Sequence, residues 1–290
     1  MPATGHAAMT HAPTDQARMD HAPTDPARAG GHALVTGASS GIGAAIAREY
    51  ARRGVPLVLT ARRVDRLEAL AAELRAQVAV EVIAADLSLP EAPATLCAEL
   101  THRGLAVRIL VNNAGYGVPG RYLASGWPVH ADFLQVMVGA VCELTWRLLP
   151  GIRAHADGRI LNVASFAALM PAADGQTLYA ASKAFLLKFS EALALENADR
   201  GVHATALCPG FTWSEFHDVT GTRARMRVPA RMWLQADAVA RAGIEACERG
   251  QALCVPGWRY RLLHGITRHL PHGVALRLMA RNSAKVRPLD

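Results

Sequence analysis

Aromatic residues are scarce, 6% of 290 positions, and there are only five cysteines, Cys97, Cys142, Cys208, Cys247 and Cys254. Their odd number and the lack of any C-x-x-C spacing exclude a disulfide framework or a cysteine-based metal centre; they read as reduced packing residues of a cytoplasmic protein. No apolar run reaches the ~20 residues that cross a bilayer. The N-terminus lacks the apolar stretch of a signal peptide. Acidic residues are outnumbered 24 to 31, which gives a formal charge of +7. That excess suits acidic small molecules, nucleic acid or an anionic membrane alike. No nucleic-acid reader motif accompanies it, so no nucleic-acid partner is expected.

About half of the residues are hydrophobic, enough for a sizeable core. They are not spread evenly. Residues 1–31 contain a ten-residue tandem repeat, MTHAPTDQAR (9–18) and MDHAPTDPAR (19–28). With few large apolar groups to offset the entropy of ordering, this stretch is expected to be a disordered tail. From His32 onward short β-branched runs alternate with helical stretches: 32–37, 56–62, 78–86, 107–115, 158–165, 202–210 and 252–257. Apolar runs of this length, joined by helix-length connections, predict a parallel sheet buried on both faces. The expected fold is therefore α/β, one Rossmann-like doubly wound domain over 32–257. A C-terminal helical extension follows at 258–290.

The first strand runs into the glycine-rich turn TGASSGIG (36–43), which opens a helix. Gly37, Ser39, Ser40, Gly41, Ile42 and Gly43 there are candidates to cradle a pyrophosphate, because glycines let the backbone approach and the helix N-terminus favours an anion. The second strand ends Thr60-Ala61-Arg62-Arg63, with no carboxylate before Asp65. A ribose 2′-hydroxyl is normally held by an acid at this place, whereas a guanidinium matches a 2′-phosphate. Two arginines that merely solvate a helix start would oppose the helix dipole. The predicted cofactor is NADP(H), with Arg62 ahead of Arg63 as its partner.

Tyr179 and Lys183 stand four apart in the helical stretch 178–200, so they share one helix face. An ammonium beside a phenol stabilises the phenolate and makes the hydroxyl useful for proton transfer. Alone, this spacing is commonplace.

Taken in order, TGASSGIG, Asp86, Asn112-Asn113-Ala114-Gly115, Ser165, Tyr179 with Lys183, and Pro209-Gly210 resemble the short-chain dehydrogenase/reductase family over 32–257. The resemblance implies adenine contacts from Asp86 and Leu87, and sheet support and adenosine contacts from Asn113, Ala114 and Gly115. It also implies a nicotinamide ribose held by Tyr179 and Lys183, and a carboxamide near Pro209, Gly210 and Thr212. Ser165 would hydrogen-bond a carbonyl to which Tyr179 gives a proton, while hydride passes between nicotinamide and the carbonyl carbon. Two departures stand out. Met137 occupies the place where members of the family commonly carry an asparagine that supports a water relay to the lysine. Ser165 and Tyr179 are fourteen positions apart, one more than usual in the family.

A long connection, 211–235, combines Trp213, Phe216 and Trp233 with Arg223, Arg225, Arg227 and Arg231; it is either a substrate lid or a mobile basic surface. The extension alternates leucines with Arg259, Arg261, Arg268, Arg277 and Arg281, which predicts amphipathic helices. Docking on the domain or on another subunit is favoured there over membrane contact. The expected protein is thus an NADP(H)-dependent reductase of a small carbonyl, or dehydrogenase of the matching alcohol, assembled as a homodimer or homotetramer. The alternatives are a non-catalytic NADP(H)-binding sensor or scaffold, or a membrane-associated reductase of lipid carbonyls.

Overall fold

A computed structural model of the chain describes residues 30–215 and 228–286. The tandem repeat, with Phe216, Arg223, Arg225 and Arg227 of the long connection, lies outside the described residues. Strand β1 (His32–Thr36) leads to α1 (Gly41–Arg52), β2 (Leu57–Thr60), α2 (Val64–Leu74), β3 (Val80–Val82) and α3 (Ala92–His102). There follow β4 (Val107–Asn112), α4 (Trp127–Leu134), α5 (Ala140–Arg153), β5 (Arg159–Val163), α6 (Thr177–Glu196) and β6 (His203–Leu207). The C-terminal part holds β7 (Thr212–Trp213), β8 (Leu234–Gln235), α7 (Ala236–Glu248), β9 (Leu253–Cys254), α8 (Trp258–Thr267) and α9 (His272–Val286).

Seven strands form one parallel sheet in the order β3-β2-β1-β4-β5-β6-β9, each pair in parallel register. Every run predicted as a strand is in it. The apolar runs are continuous because both faces are buried, and the side chains divide by the two-residue period of a strand. Val35, Leu59 and Val111 turn to one face, under α1, α2 and α7 with Ile46, Leu67 and Ile244. Leu34, Val58 and Leu110 turn to the other, under α3, α5 and α6 with Leu96, Leu144 and Leu193. Strand order reverses between β1 and β4. In such sheets a ligand crevice opens beyond the carboxyl ends of the strands at that reversal, which is where the glycine turn lies.

Between α4 and α5 the helix continues through a single π turn, Gln135–Gly139. The continuous helix Trp127–Arg153 is long and apolar enough to cross a membrane by length and composition alone, although it contains no unbroken apolar run of that length. Its Phe133, Met137, Ala140, Leu144 and Ile152 are buried in the protein's own core.

Candidate active site

A cleft of about 780 Å³ opens along the carboxyl ends of the strands. Every residue assigned from the sequence to the cofactor or to catalysis lines it except Gly43. Gly43 lies just behind: a Cβ there would fall 2.4 Å from the Gly37 carbonyl oxygen and 2.4 Å from Asn113 Nδ2, so only glycine lets α1 pack against β1 and β4. Gly37 has φ +64°, a left-handed conformation that a side chain would strain. Asn113 locks this turn, its Nδ2 donating to the carbonyls of Thr36 (2.9 Å) and Gly37 (3.2 Å). The Thr36 hydroxyl accepts from the backbone N–H groups of Asn113 and Ala114 and donates to Val111 O.

The turn offers an anion site. Ser40 stands at the N-cap of α1, yet its side chain makes no capping bond; its hydroxyl accepts from Arg63 Nη2 at 2.9 Å instead. The Ser40 side chain therefore takes none of the first N–H groups of α1. Arg63 also donates to Ser39 Oγ and to Glu215 Oε2, while Arg62 is exposed along the same wall. Arginines, serine hydroxyls and open helix N–H groups supply donors suited to the phosphates of a dinucleotide. Asp86 is held in the β3–α3 loop by Ser88, whose N–H and hydroxyl both donate to Asp86 Oδ1, and Leu87 beside it is buried.

At the other end, Tyr179 and Lys183 stand on the first turns of α6, with Lys183 Nζ 5.8 Å from the centre of the tyrosine ring. Lys183 is buried and donates to the Val163 carbonyl at 2.8 Å. Burial pushes its pKa down to about 8. Ser165 follows β5, and its Oγ caps the short turn Phe166–Leu169 by accepting from Ala167 N. Thr212 turns its hydroxyl to the Gly210 carbonyl. Met137 lies behind the cleft wall, 1% exposed in the π turn, with its sulfur against Gly115: a Cβ on that glycine would come within 2.8 Å of Met137 Sδ.

Two features of the site have no strong local signature in the sequence. Tyr260 of α8 packs its ring against Gly210, where a Cβ would fall 1.9 Å from the ring, and its hydroxyl donates to Met232 O and accepts from Phe211 N. The C-terminal helices thus close one side of the cleft, with Leu263 and Met279 also lining it. Beneath Lys183 a buried chain runs from Asn112 Nδ2 to Asn162 Oδ1 and from Asn162 Nδ2 to Ser190 Oγ, tying β4, β5 and α6 together. The second asparagine of a strand run was the available signal.

Residues 31–223 match the family model described as short chain dehydrogenase. The chain belongs to the short-chain dehydrogenase family. As a member it is an oxidoreductase. Among its relatives, a sulfoacetaldehyde reductase of Chromohalobacter salexigens is 38% identical over 190 residues, 63% of this chain and 73% of that protein. A very-long-chain 3-oxoacyl-CoA reductase of Anas platyrhynchos is 30% identical over 274 residues, 89% of this chain and 81% of that protein. Among solved structures, a short-chain dehydrogenase from Sphingobium yanoikuyae in complex with NADPH superposes with a TM-score of 0.72 at 32% identity. That match covers 82% of this chain and 94% of the other.

Proposed function

We propose that this short-chain dehydrogenase reduces a carbonyl compound with NADPH, or oxidises the corresponding alcohol, using Tyr179 as the proton donor and acceptor. The observation that carries this reading is a shared space: the glycine turn with Arg62 and Arg63 lines one end of the cleft, and Ser165, Tyr179 and Lys183 line it at the other. NADPH, when bound, supplies the hydride. The chain's own residues do the rest. Ser39, Ser40, Arg62 and Arg63 hold the 2′-phosphate, and the N-terminus of α1 takes the pyrophosphate. Asp86 and Leu87 receive the adenine; Asn113, Ala114 and Gly115 support the adenosine side; Pro209, Gly210 and Thr212 border the nicotinamide. The Ser165 hydroxyl orients the substrate oxygen, and the Tyr179 hydroxyl delivers the proton to it. The Lys183 ammonium stabilises the phenolate left behind.

The solved NADPH complex supports the cofactor, and the two relatives, both named as reductases of carbonyl compounds, support the direction. The cytoplasmic setting and homo-oligomeric assembly expected from the sequence belong to the same proposal, as do the limits 32–257 for the catalytic domain. The test is a panel of aldehydes and ketones with NADPH, followed by loss of the reduced nicotinamide absorbance, with Tyr179→Phe beside the wild type. Turnover in the wild type and near-complete loss in Tyr179→Phe, with NADPH binding retained, is the expected result. Binding of NADPH without turnover of any compound would favour the sensor or scaffold reading.

A further inference from the structure

The C-terminal helices have two working faces, and among the described residues only one is used by the protein itself. The inner face of α8 carries Tyr260, 3% exposed, and Leu263; that of α9 carries Ala275 and Met279. The outer face of α8 carries Trp258, Leu262 and Ile266, spaced by four and 58%, 57% and 55% exposed. That spacing makes one stripe along the helix, and helical geometry sets Arg259 and Arg261 on its two flanks. On α9 the exposed Val274 and Leu278 alternate with Arg277 and Arg281. Intramolecular docking accounts for the inner face and, among the described residues, leaves the outer one unpartnered.

Its charge is of one sign. Residues 258–289 hold six arginines and one lysine, with no aspartate or glutamate before Asp290. Arg259 stacks on Trp258 and donates to Arg231 O, and Arg268 meets His269. Among the described residues no ion pair takes up the charge of Arg259, Arg261, Arg268, Arg277 or Arg281. A two-fold pairing with a second copy through this face would set arginine against arginine, which is unfavourable. A bilayer with anionic headgroups meets both needs: the headgroups pair with the guanidinium groups, and the acyl boundary accepts tryptophan, leucine and isoleucine.

We infer that the outer face of α8 and α9 docks on an anionic lipid surface, with the helices lying in the interface plane. The inner faces of the same helices line the cleft, so docking brings the cleft next to the lipid and makes carbonyl compounds dissolved in it accessible. The inference does not depend on the assigned chemistry, because its test reads partition and not turnover.

The experiment is flotation of the full-length protein with vesicles of phosphatidylcholine alone, or of phosphatidylcholine containing phosphatidylglycerol. The wild type is compared with Leu262→Glu/Ile266→Glu, two exposed positions outside the cleft. The wild type should float with the anionic vesicles and stay behind with the neutral ones, and the double variant should partition at least about tenfold more weakly. Thermal melting and NADPH binding of the variant check that it is folded. As a second readout, Trp258 emission should shift to the blue on adding anionic vesicles, taken as the difference between wild type and Trp258→Phe. A wild type that stays in solution with both vesicle types would overturn the inference. So would a double variant that floats as well as the wild type, since the outer face of α8 would then not be the part that adsorbs. A wild type that ignores vesicles but becomes smaller in solution on the double substitution would assign the face to a second copy.

Discussion

Glu215 closes on Arg63 across the nucleotide end of the cleft, Oε2 to Nη1 at 3.2 Å, and on Arg66 at 2.5 Å. The hydrogen bond from Arg66, joined by that from Arg63, holds the Glu215 carboxyl below its usual range, so it is an anion throughout neutral pH. It meets the same arginine that donates to Ser39 and Ser40, the donor set assigned above to the 2′-phosphate. Both partners are about 40% exposed, and ion pairs of that kind are weak. Glu215→Gln removes a competing carboxylate. It should tighten NADPH about two- to fivefold and leave NADH nearly unchanged. Titration of both cofactors against the two proteins measures this, and equal gains for both would place the effect elsewhere.

Arg62 and Arg63 differ in how much of each side chain is already engaged. Arg63 is held by two serine hydroxyls and Glu215, whereas Arg62 is exposed along the cleft wall. Arg62→Ala should weaken NADPH by roughly tenfold or more, the scale of a hydrogen bond to a charged group, with little effect on NADH. Arg63→Ala should also loosen the glycine turn and weaken both cofactors. A wild type that binds NADPH and NADH equally would overturn the assignment of both arginines.

The parts of this architecture that were legible in the sequence are those in which one local rule acts alone. Val35, Leu59 and Val111 lie in continuous apolar runs because their strands are covered on both faces, and that signature needs no knowledge of neighbours. The glycine turn was equally local. What could not be read depends on contacts distant in sequence. Strands β7 and β8 are two residues each, too short to carry a period, and are held in register where Trp213 stacks on Trp233 at 4.4 Å. Tyr260 stands in an amphipathic stretch with nothing local to distinguish it, although its ring fills the space that Gly210 leaves open. The sequence places Arg62 ahead of Arg63, and nothing in the order of residues reveals that Arg63 folds back onto Ser39 and Ser40.

Lys183 gives a pH signature. Its pKa is near 8 in the folded protein, from burial, against 10.5 when free in the unfolded chain. Below pH 8 both states carry the proton and the fold bears the full penalty of a buried ammonium. Between pH 8 and about 10.5 the unfolded chain binds more protons than the folded one, so the contribution of this group to stability rises with pH. Tyrosines and cysteines titrate in the same window, and a difference against Lys183→Met isolates the lysine. The variant should melt higher than the wild type at pH 7, and the gap should narrow toward pH 10. Its turnover should fall steeply at every pH. A constant gap in melting temperature would mean that the buried ammonium does not titrate in this range.

Met137 is where the family resemblance and this chain part, and the structure sharpens what that means. The π turn Gln135–Gly139 offsets the helix at this position, so the backbone distortion is present without an asparagine to brace it. The side chain is buried, with its sulfur against Gly115, and Lys183 Nζ reaches toward the same glycine, 3.8 Å from where a Cβ would stand. A thioether donates no hydrogen bond and accepts only weakly, so the Lys183 ammonium has the Val163 carbonyl as its neighbour and gains little from the Met137 side chain. In the proposed mechanism, protons leaving Tyr179 must then be resupplied along a path that the Met137 side chain does not serve. Met137→Asn places a donor and an acceptor there, at the expense of burying an amide where a thioether packed. The variant should melt lower, by an amount matching roughly 1–3 kcal/mol. If proton supply limits turnover, kcat should rise severalfold and its solvent isotope effect should shrink, while NADPH affinity changes little. Both quantities are read from the same assay on one substrate in ordinary and heavy water. An unchanged kcat with an unchanged isotope effect would show that hydride transfer or product release sets the rate, and that this enzyme manages its proton without residue 137.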